Sequence, residues 1–395
     1  MRFGIVALPH SVQEAVEDAK LAEAAGFHWL GMADSQSVYR ELYGTAALCA
    51  AATSRIHIGP AVTNPVTRHP AVTASAIATL DEVSGGRAFC GIGMGDSALL
   101  NLGERPVSLA SLREYVATVR SLLQGRDTAY RGRRVHLGWP ERPVPVYIAA
   151  EGPRTLELAG EIADGVIVGV GLQPELLRDA LAHIAAGAAR AGRDPAELDL
   201  WAFARVNVTE DVAAGIDEIR MELASCAHHV FRFTLEGKQV PPDLAEAILR
   251  VQCGYQPAQH EQSAGANADL VRDPALLRYL AERFAVVGTP DACVAKLRAV
   301  AEAGVSNVLF TGFVPDRAAL IRTLGAAVLP RLALYPPTPF PQSLTSRRAR
   351  SGMRERGDPV ESDPRGRRVN RAGHGTPTAG SPLSIEHRAP RDLDD

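Results

Sequence analysis

The sequence has little cysteine and little net charge, and it lacks a long apolar run. Its five cysteines, at positions 49, 90, 226, 253 and 293, include no CxxC pair and no metal-ligand spacing. They therefore support neither a disulfide framework nor a zinc site, and we expect each to be a small buried side chain in a reduced cytoplasm. A net charge of −3 over 395 residues indicates no nucleic-acid partner. The short apolar run before Pro9 predicts neither a secretory signal nor a membrane span.

Familiar catalytic motifs are also missing. The sequence contains no HExxH, no Walker sequence and no nucleophile elbow, which argues against a resident metal, a phosphate-binding loop and a serine triad. The segment GIGMGDS (91–97) has the first two glycines of a dinucleotide fingerprint but no third, so we reject a Rossmann interpretation. With neither a nucleophile nor a metal cluster, the chemistry is expected to come from a borrowed cofactor.

What is present is a regular alternation of apolar strands and amphipathic helices. The predicted strands cover 3–8, 28–33, 56–59, 88–92, 144–150, 165–168, 198–206 and 307–310. Continuous apolar strands separated by helices are typical of parallel sheets buried on both faces. We therefore predict an α/β protein with a (β/α)₈ TIM barrel, the alternative being an open doubly wound sheet.

Two segments interrupt this alternation. A stretch at about 225–283, with two adjacent histidines and a Pro-Pro turn, is predicted to be a late insertion that acts as a substrate lid or a dimer element. Residues 335–395 are rich in Arg, Pro, Gly and Ser, so we predict a disordered tail, a nucleic-acid arm being the alternative. The barrel domain is accordingly placed at 1–334.

The active face of such a barrel lies where strands end and helices begin. The stretch 55–70 leaves a strand with prolines at 60, 65 and 70, which forbid a regular helix or ladder and predict a rigid irregular loop. The loops after the first six strands contain only four side chains that titrate near neutrality, namely His10, Asp34, Asp96 and Glu151. Their glycines either allow close approach of a ligand or simply make tight turns.

Four stretches together resemble the luciferase-like monooxygenase superfamily, whose members depend on flavin or on the deazaflavin F420. They are 32–42, 55–97, 143–171 and 285–310, and the branch they most resemble is that of F420-dependent methylenetetrahydromethanopterin reductase. The resemblance implies a (β/α)₈ barrel with a late insertion. It also implies a non-prolyl cis peptide after the third strand, which falls on Ala61-Val62. The alternatives are a cis bond at Gly59-Pro60 or Asn64-Pro65, or none.

The resemblance also implies a set of cofactor-binding residues. Asp34 would reach the ring, and the Ala61-Val62 bulge would support one ring face. The remaining cofactor-binding residues that it implies are Thr63, Asn64, Gly93, Met94, Gly95 and Asp96 around the ring, and Ala149, Ala150, Glu151, Gly152, Gly169, Val170 and Gly171 along the ribityl and phosphate end. For Asp34 the alternative is a helix N-cap.

The proton donor is less well defined by the resemblance. Some F420 enzymes have a histidine where Ser35 stands and a glutamate where this chain has Leu8-Pro9-His10. Asp34 and His10 are therefore the catalytic candidates, a structural histidine being the alternative for His10.

The predicted function is F420-dependent transfer of hydride between the deazaflavin and an organic C=C, C=N or C=O substrate. The alternatives are an FMN-dependent monooxygenase and a cofactor-binding barrel without turnover. We expect a cytoplasmic homodimer with a small-molecule substrate, no metal, no nucleic acid and no membrane.

Overall fold

The computed structural model describes residues 1–260, 262, 265–335 and 340–341. Nine parallel strands form its main sheet, and a short antiparallel pair lies outside it. The strands are β1 (Arg2–Ala7), β2 (Trp29–Met32), β3 (His57–Pro60), β4 (Cys90–Ile92), β5 (Thr128–Tyr130), β6 (Arg133–Val135), β7 (Val146–Ala150), β8 (Gly165–Val168), β9 (Asp199–Val208), β10 (Ala285–Gly288) and β11 (Asn307–Thr311).

Eight of these strands form the predicted barrel. Their order is β3-β2-β1-β11-β9-β8-β7-β4, all parallel. The ring closes between β3 and β4 through two isolated parallel bridges, Ile58 to Ala88 and Thr63 to Ile92. The prediction of a closed barrel is thus confirmed, and the open sheet is excluded. All eight strands end at one rim, where their loops converge.

Aromatic side chains fill the lower part of the barrel. Trp29 stacks between Phe89 and Trp201, with ring centroids 4.0 Å away on each side. Tyr147 meets Trp29 edge-on and donates its hydroxyl to Asp199 at 2.9 Å. These side chains pack together and fill this part of the barrel interior.

Helices cover the outside of the barrel and follow the predicted alternation. They are α1 (Val12–Ala24), α2 (Leu42–Ala51), α3 (Pro70–Ser84), α4 (Ser97–Leu100), α5 (Leu109–Leu123), α6 (Pro153–Ile162), α7 (Pro174–Arg190), α8 (Val212–Glu218), α9 (Arg220–Phe231), α10 (Ala245–Gly254), α11 (Ala266–Asp269), α12 (Pro274–Phe284), α13 (Pro290–Glu302), α14 (Arg317–Thr323) and α15 (Pro330–Ala333). Several begin with proline at the first turn, where a missing N–H costs nothing. None of the helices described is both long and apolar enough to cross a bilayer.

The late insertion is helical and has a small core of its own. Helices α9, α10 and α12 pack through Phe231, Ile248 and Leu280, all nearly inaccessible to solvent. The insertion ends at β10, which pairs with the last residues of β9. The sequence interpretation missed β10, because a four-residue apolar run beside a helix does not reveal its strand partner.

Two further expectations concern side-chain burial and the tail. Cys49, Cys90, Cys226 and Cys293 are buried as expected, whereas the expectation for Cys253 is wrong, since it lies exposed on α10. The helical period alone did not show which face of α10 is packed. The predicted disordered tail falls almost entirely outside the described residues.

Candidate functional site

The irregular loop after β3 forms one wall of the site. The peptide between Ala61 and Val62 is cis, as predicted, and it is the one cis bond in the described chain. Two glycines, one in β4 and one just after it, make room for this bulge. A Cβ on Gly91 would lie 2.4 Å from the Pro60 carbonyl oxygen, and one on Gly93 would lie 2.9 Å from Val62 Cγ2. The spacing of glycines in 91–95 thus serves the bulge as well as any ligand.

Two adjoining cavities open at the rim. The first, over the ends of β1 to β3, encloses about 790 Å³, and the second, over β7 to β9, encloses about 850 Å³, open solvent included. The residues shared by both linings are Ala61, Val62, Asp96, Phe203, Arg205, Ser225, His229 and His260. Because the bulge faces both cavities, they form the two arms of one chamber.

Asp34 lies in the first cavity and acts as an acceptor. Its Oδ2 accepts hydrogen bonds from Thr63 Oγ1 and Arg68 Nη1, both at 2.7 Å, and its side chain is only 4% exposed. It does not cap a helix, because the N-cap of α2 is Glu41. Charge-assisted bonds of this length stabilise an ionised carboxylate.

A clamp made of Asp96, Glu151, His229 and Arg232 joins the insertion to the barrel. His229 Nδ1 lies 2.8 Å from Asp96 Oδ2, and its Nε2 lies 2.9 Å from Glu151 Oε1. Arg232 Nη1 donates to Asp96 Oδ1 at 2.9 Å. Because both ring nitrogens face carboxylates, the imidazole is held as the cation with an N–H on each side.

The clamp carries strongly perturbed acid-base equilibria. Burial lowers the pKa of His229, but Glu151 and Asp96 outweigh it and raise that pKa to about 9. Burial raises the pKa of Asp96 and of Glu151, but His229 outweighs it at both, so each pKa lies below its usual range. The clamp is therefore fully charged at neutral pH.

Two basic side chains of the insertion reach the backbone of the loops after β7 and β8. Lys238 Nζ donates to the Glu151 carbonyl oxygen at 2.9 Å, and Arg283 Nε donates to that of Val170 at 2.9 Å. Both side chains are buried, and burial lowers the pKa of each. The loops predicted for an anionic phosphate end thus lie in a basic environment.

Arg205 and Glu222 form a further charged pair where the two cavities meet. Arg205 comes from the end of β9, and its Nε lies 3.3 Å from Glu222 Oε2 of α9. Its guanidinium stacks on Phe203, 4.5 Å from the ring centroid. Burial raises the pKa of Glu222, although Arg205 partly offsets this.

The structure brings most of the sequence-predicted residues to the chamber. The predicted residues that line it are Asp34, Ala61, Val62, Thr63, Asn64, Gly95, Asp96, Ala149, Glu151 and Gly169. The predicted residues outside both linings are His10, Gly93, Met94, Ala150, Gly152, Val170 and Gly171. The His10 ring packs instead against Tyr39 and Phe313, with centroids at 5.1 and 5.9 Å, and burial lowers its pKa.

Sequence reasoning missed the contribution of the insertion. His229, Arg232 and Lys238 reach back to loops more than 80 residues earlier in the chain. The adjacent histidines at 228 and 229 were the one available signal, since paired titratable groups in a lid often face a site. Nothing in the spacing indicated which loops they would meet.

Comparison with known proteins agrees with this architecture. The chain is 33% identical to 5,10-methylenetetrahydromethanopterin reductase of Methanolobus tindarius, with 83% of this chain and 100% of the relative covered. It is 30% identical to F420-dependent glucose-6-phosphate dehydrogenase of Beutenbergia cavernae, with 79% and 91% covered.

A solved structure extends the similarity to three dimensions. Coenzyme F420-dependent tetrahydromethanopterin reductase from Methanopyrus kandleri superposes with a TM-score of 0.67 at 29% identity, covering 84% of this chain and 99% of that one. Residues 1–307 match the family model described as luciferase-like monooxygenase. Since that match spans most of the barrel and its rim loops, the chain belongs to the luciferase-like monooxygenase family.

Proposed function

We propose that this protein is an F420-dependent oxidoreductase that transfers hydride between the deazaflavin and a small organic substrate with a C=C, C=N or C=O bond. The observation that carries the proposal is the apolar Ala61-Val62 wall, shared by both arms of the chamber and flanked by Asp34 and the clamp. The named relatives that depend on F420 support the choice of cofactor.

The donor set of the chamber fits such a group. A planar ring needs a flat apolar wall, which Ala61 and Val62 supply, and acceptors at its edge, such as the carboxylate of Asp34. A phosphate-bearing side arm needs positive charge, and Lys238 and Arg283 supply it from behind the loops after β7 and β8, outside both cavities. These features match the two ends of a deazaflavin cofactor.

The residues of the chain would then divide the work. Ala61 and Val62 would support one face of the ring, Asp34 would orient it by accepting a hydrogen bond, and the loops at 149–152 and 169–171 would hold the phosphate end. When bound, F420 would donate a hydride in its reduced form or accept one in its oxidised form. Helix α9, which carries His229, would cover the chamber and exclude water.

Asp34 and His10 are the candidates for the group that donates or accepts the proton. Asp34 lies in the first cavity, but Arg68 and Thr63 already bond its Oδ2. His10 reaches that cavity only through the ring of Tyr39, which lines it. A His10→Gln variant with unchanged turnover would leave His10 a structural role.

Cofactor binding tests the proposal directly. Titrating the purified protein with F420 and with FMN should show tight binding of F420 and weak binding of FMN. The bound protein is then assayed with methylenetetrahydromethanopterin, glucose 6-phosphate and simple ketones as acceptors or donors. Tight FMN binding without F420 binding would favour the monooxygenase instead, and F420 binding without any turnover would favour a non-catalytic barrel.

The assembly and cellular location are proposed on the same basis. We expect a homodimer formed through outer barrel helices, in the cytoplasm. Sedimentation equilibrium of the purified protein measures the mass directly, and a monomer at micromolar concentration would contradict the dimer.

A further inference from the structure

Arg205 makes no short carboxylate contact in the chamber, and its Nε and that of Arg232 are both buried without a hydrogen bond within the described structure. The contacts of Arg68 with Asp34, of His229 with Asp96 and Glu151, and of Arg232 with Asp96 measure 2.7 to 2.9 Å. The contact between Arg205 and Glu222 is longer, at 3.3 Å, and the buried Arg205 Nε makes no hydrogen bond within the described structure. A buried donor of this kind calls for a ligand.

The position of Arg205 suits a substrate group. Its side chain is 13% exposed and lines both cavities, as do Ala61 and Val62. Stacking on Phe203 fixes the plane of the guanidinium, and a fixed planar fork is the geometry that binds carboxylate or phosphate through two parallel N–H groups. Lys238, the buried cation near the loop after β7, lines neither cavity.

We propose that Arg205 is the centre of an oxyanion-binding subsite that recognises a carboxylate or phosphate group of the substrate. This inference rests on the proposed function, because it assigns the substrate class of the same chamber. Glu222 holds the guanidinium in place when the subsite is empty and competes with the incoming oxyanion. The two residues therefore have opposite effects on anion affinity.

Titration calorimetry of the F420-loaded protein tests this assignment with two probes, inorganic phosphate and succinate, at an ionic strength held constant with chloride. Wild type should bind at least one probe, and which one binds identifies the oxyanion. Arg205→Gln should weaken that binding about tenfold or more, since a charged hydrogen bond is lost. Glu222→Gln keeps the acceptor oxygen and removes the competing charge, so it should tighten binding by roughly threefold.

Several outcomes would overturn the assignment. These are no binding of either probe to wild type, equal binding by Arg205→Gln, or weaker binding by Glu222→Gln. If Arg205→Gln does not fold, the double variant Arg205→Gln/Glu222→Gln leaves no unpaired charge and should still bind neither probe, so binding at the wild-type level would refute the subsite.

A separate titration measures the affinity of each variant for F420. Arg205→Gln should bind F420 within about twofold of wild type, because the proposed ligand is the substrate. A large loss of F420 affinity would assign Arg205 to the cofactor and overturn the inference. If wild type does not bind F420 at all, the proposed function fails, and the anion titrations are then made on the cofactor-free protein.

Discussion

Replacing His229 by Gln should destabilise the protein in a pH-dependent way. His229 bridges Asp96 and Glu151, and its pKa of about 9 compares with the ordinary 6.5. That difference corresponds to roughly 3 kcal/mol at about 1.4 kcal/mol per tenfold change. Because the side chain is 32% exposed, solvent screening reduces this free energy, and we expect about 2 kcal/mol.

The direction of the pH dependence of stability follows from proton linkage. A group whose pKa is higher in the folded state contributes its full stability below the unfolded pKa, here about 6.5, and loses it as pH rises through the folded pKa. The Asp96 and Glu151 carboxylates have lowered pKa values, so their contribution is present above their unfolded values near 4 and is lost in stronger acid. The clamp should therefore make its full contribution to the free energy of unfolding between about pH 4.5 and 6.5.

Thermal unfolding followed by circular dichroism measures the effect. At pH 6 the melting temperature of His229→Gln should lie roughly 2–3 °C below wild type, and the gap should close towards pH 9.5. His183→Gln is the matched control, since His183 faces a single carboxylate, Glu157, at 3.2 Å, and its gap should be smaller. A His229→Gln gap that is unchanged between pH 6 and pH 9.5 would refute the charged clamp.

Two further predictions concern the ring end of the chamber. Gly93→Ala should weaken F420 binding at least about tenfold, because the new Cβ would lie 2.9 Å from Val62 Cγ2 and displace the bulge. Fluorescence titration measures this affinity. The control Gly44→Ala, on α2, should bind F420 normally. Asp34→Asn should reduce turnover at least about tenfold because the buried charge is lost. The control Glu41→Gln, which removes the outer carboxylate partner of Arg68, should change the rate less than twofold. Equal rates for the two variants would contradict a role for Asp34 at the ring.

The barrel strands and their rim loops show which features were predictable from the sequence. The alternation of apolar strands and capped helices specified the eight barrel strands to within about two residues at most ends, because local periodicity and turn residues decide where elements begin. The prolines at 60, 65 and 70 predicted an irregular loop for the same local reason, whereas the cis peptide at Ala61-Val62 was implied by the family resemblance. The sequence also predicted that Asp34, Asp96 and Glu151 lie at the rim, since parallel strands bring their carboxyl ends to one edge of the barrel.

Only the tertiary structure decided what the carboxylates face. Asp96 and His229 are 133 residues apart, Arg205 and Glu222 lie on a strand and on an insertion helix, and strand β10 was recognisable only by its pairing with β9. No sequence period encodes these contacts, because they depend on how the insertion folds back over the rim. The sequence by itself determined the barrel and one wall of its chamber. Long-range packing determined which charged side chains of the insertion meet the rim loops.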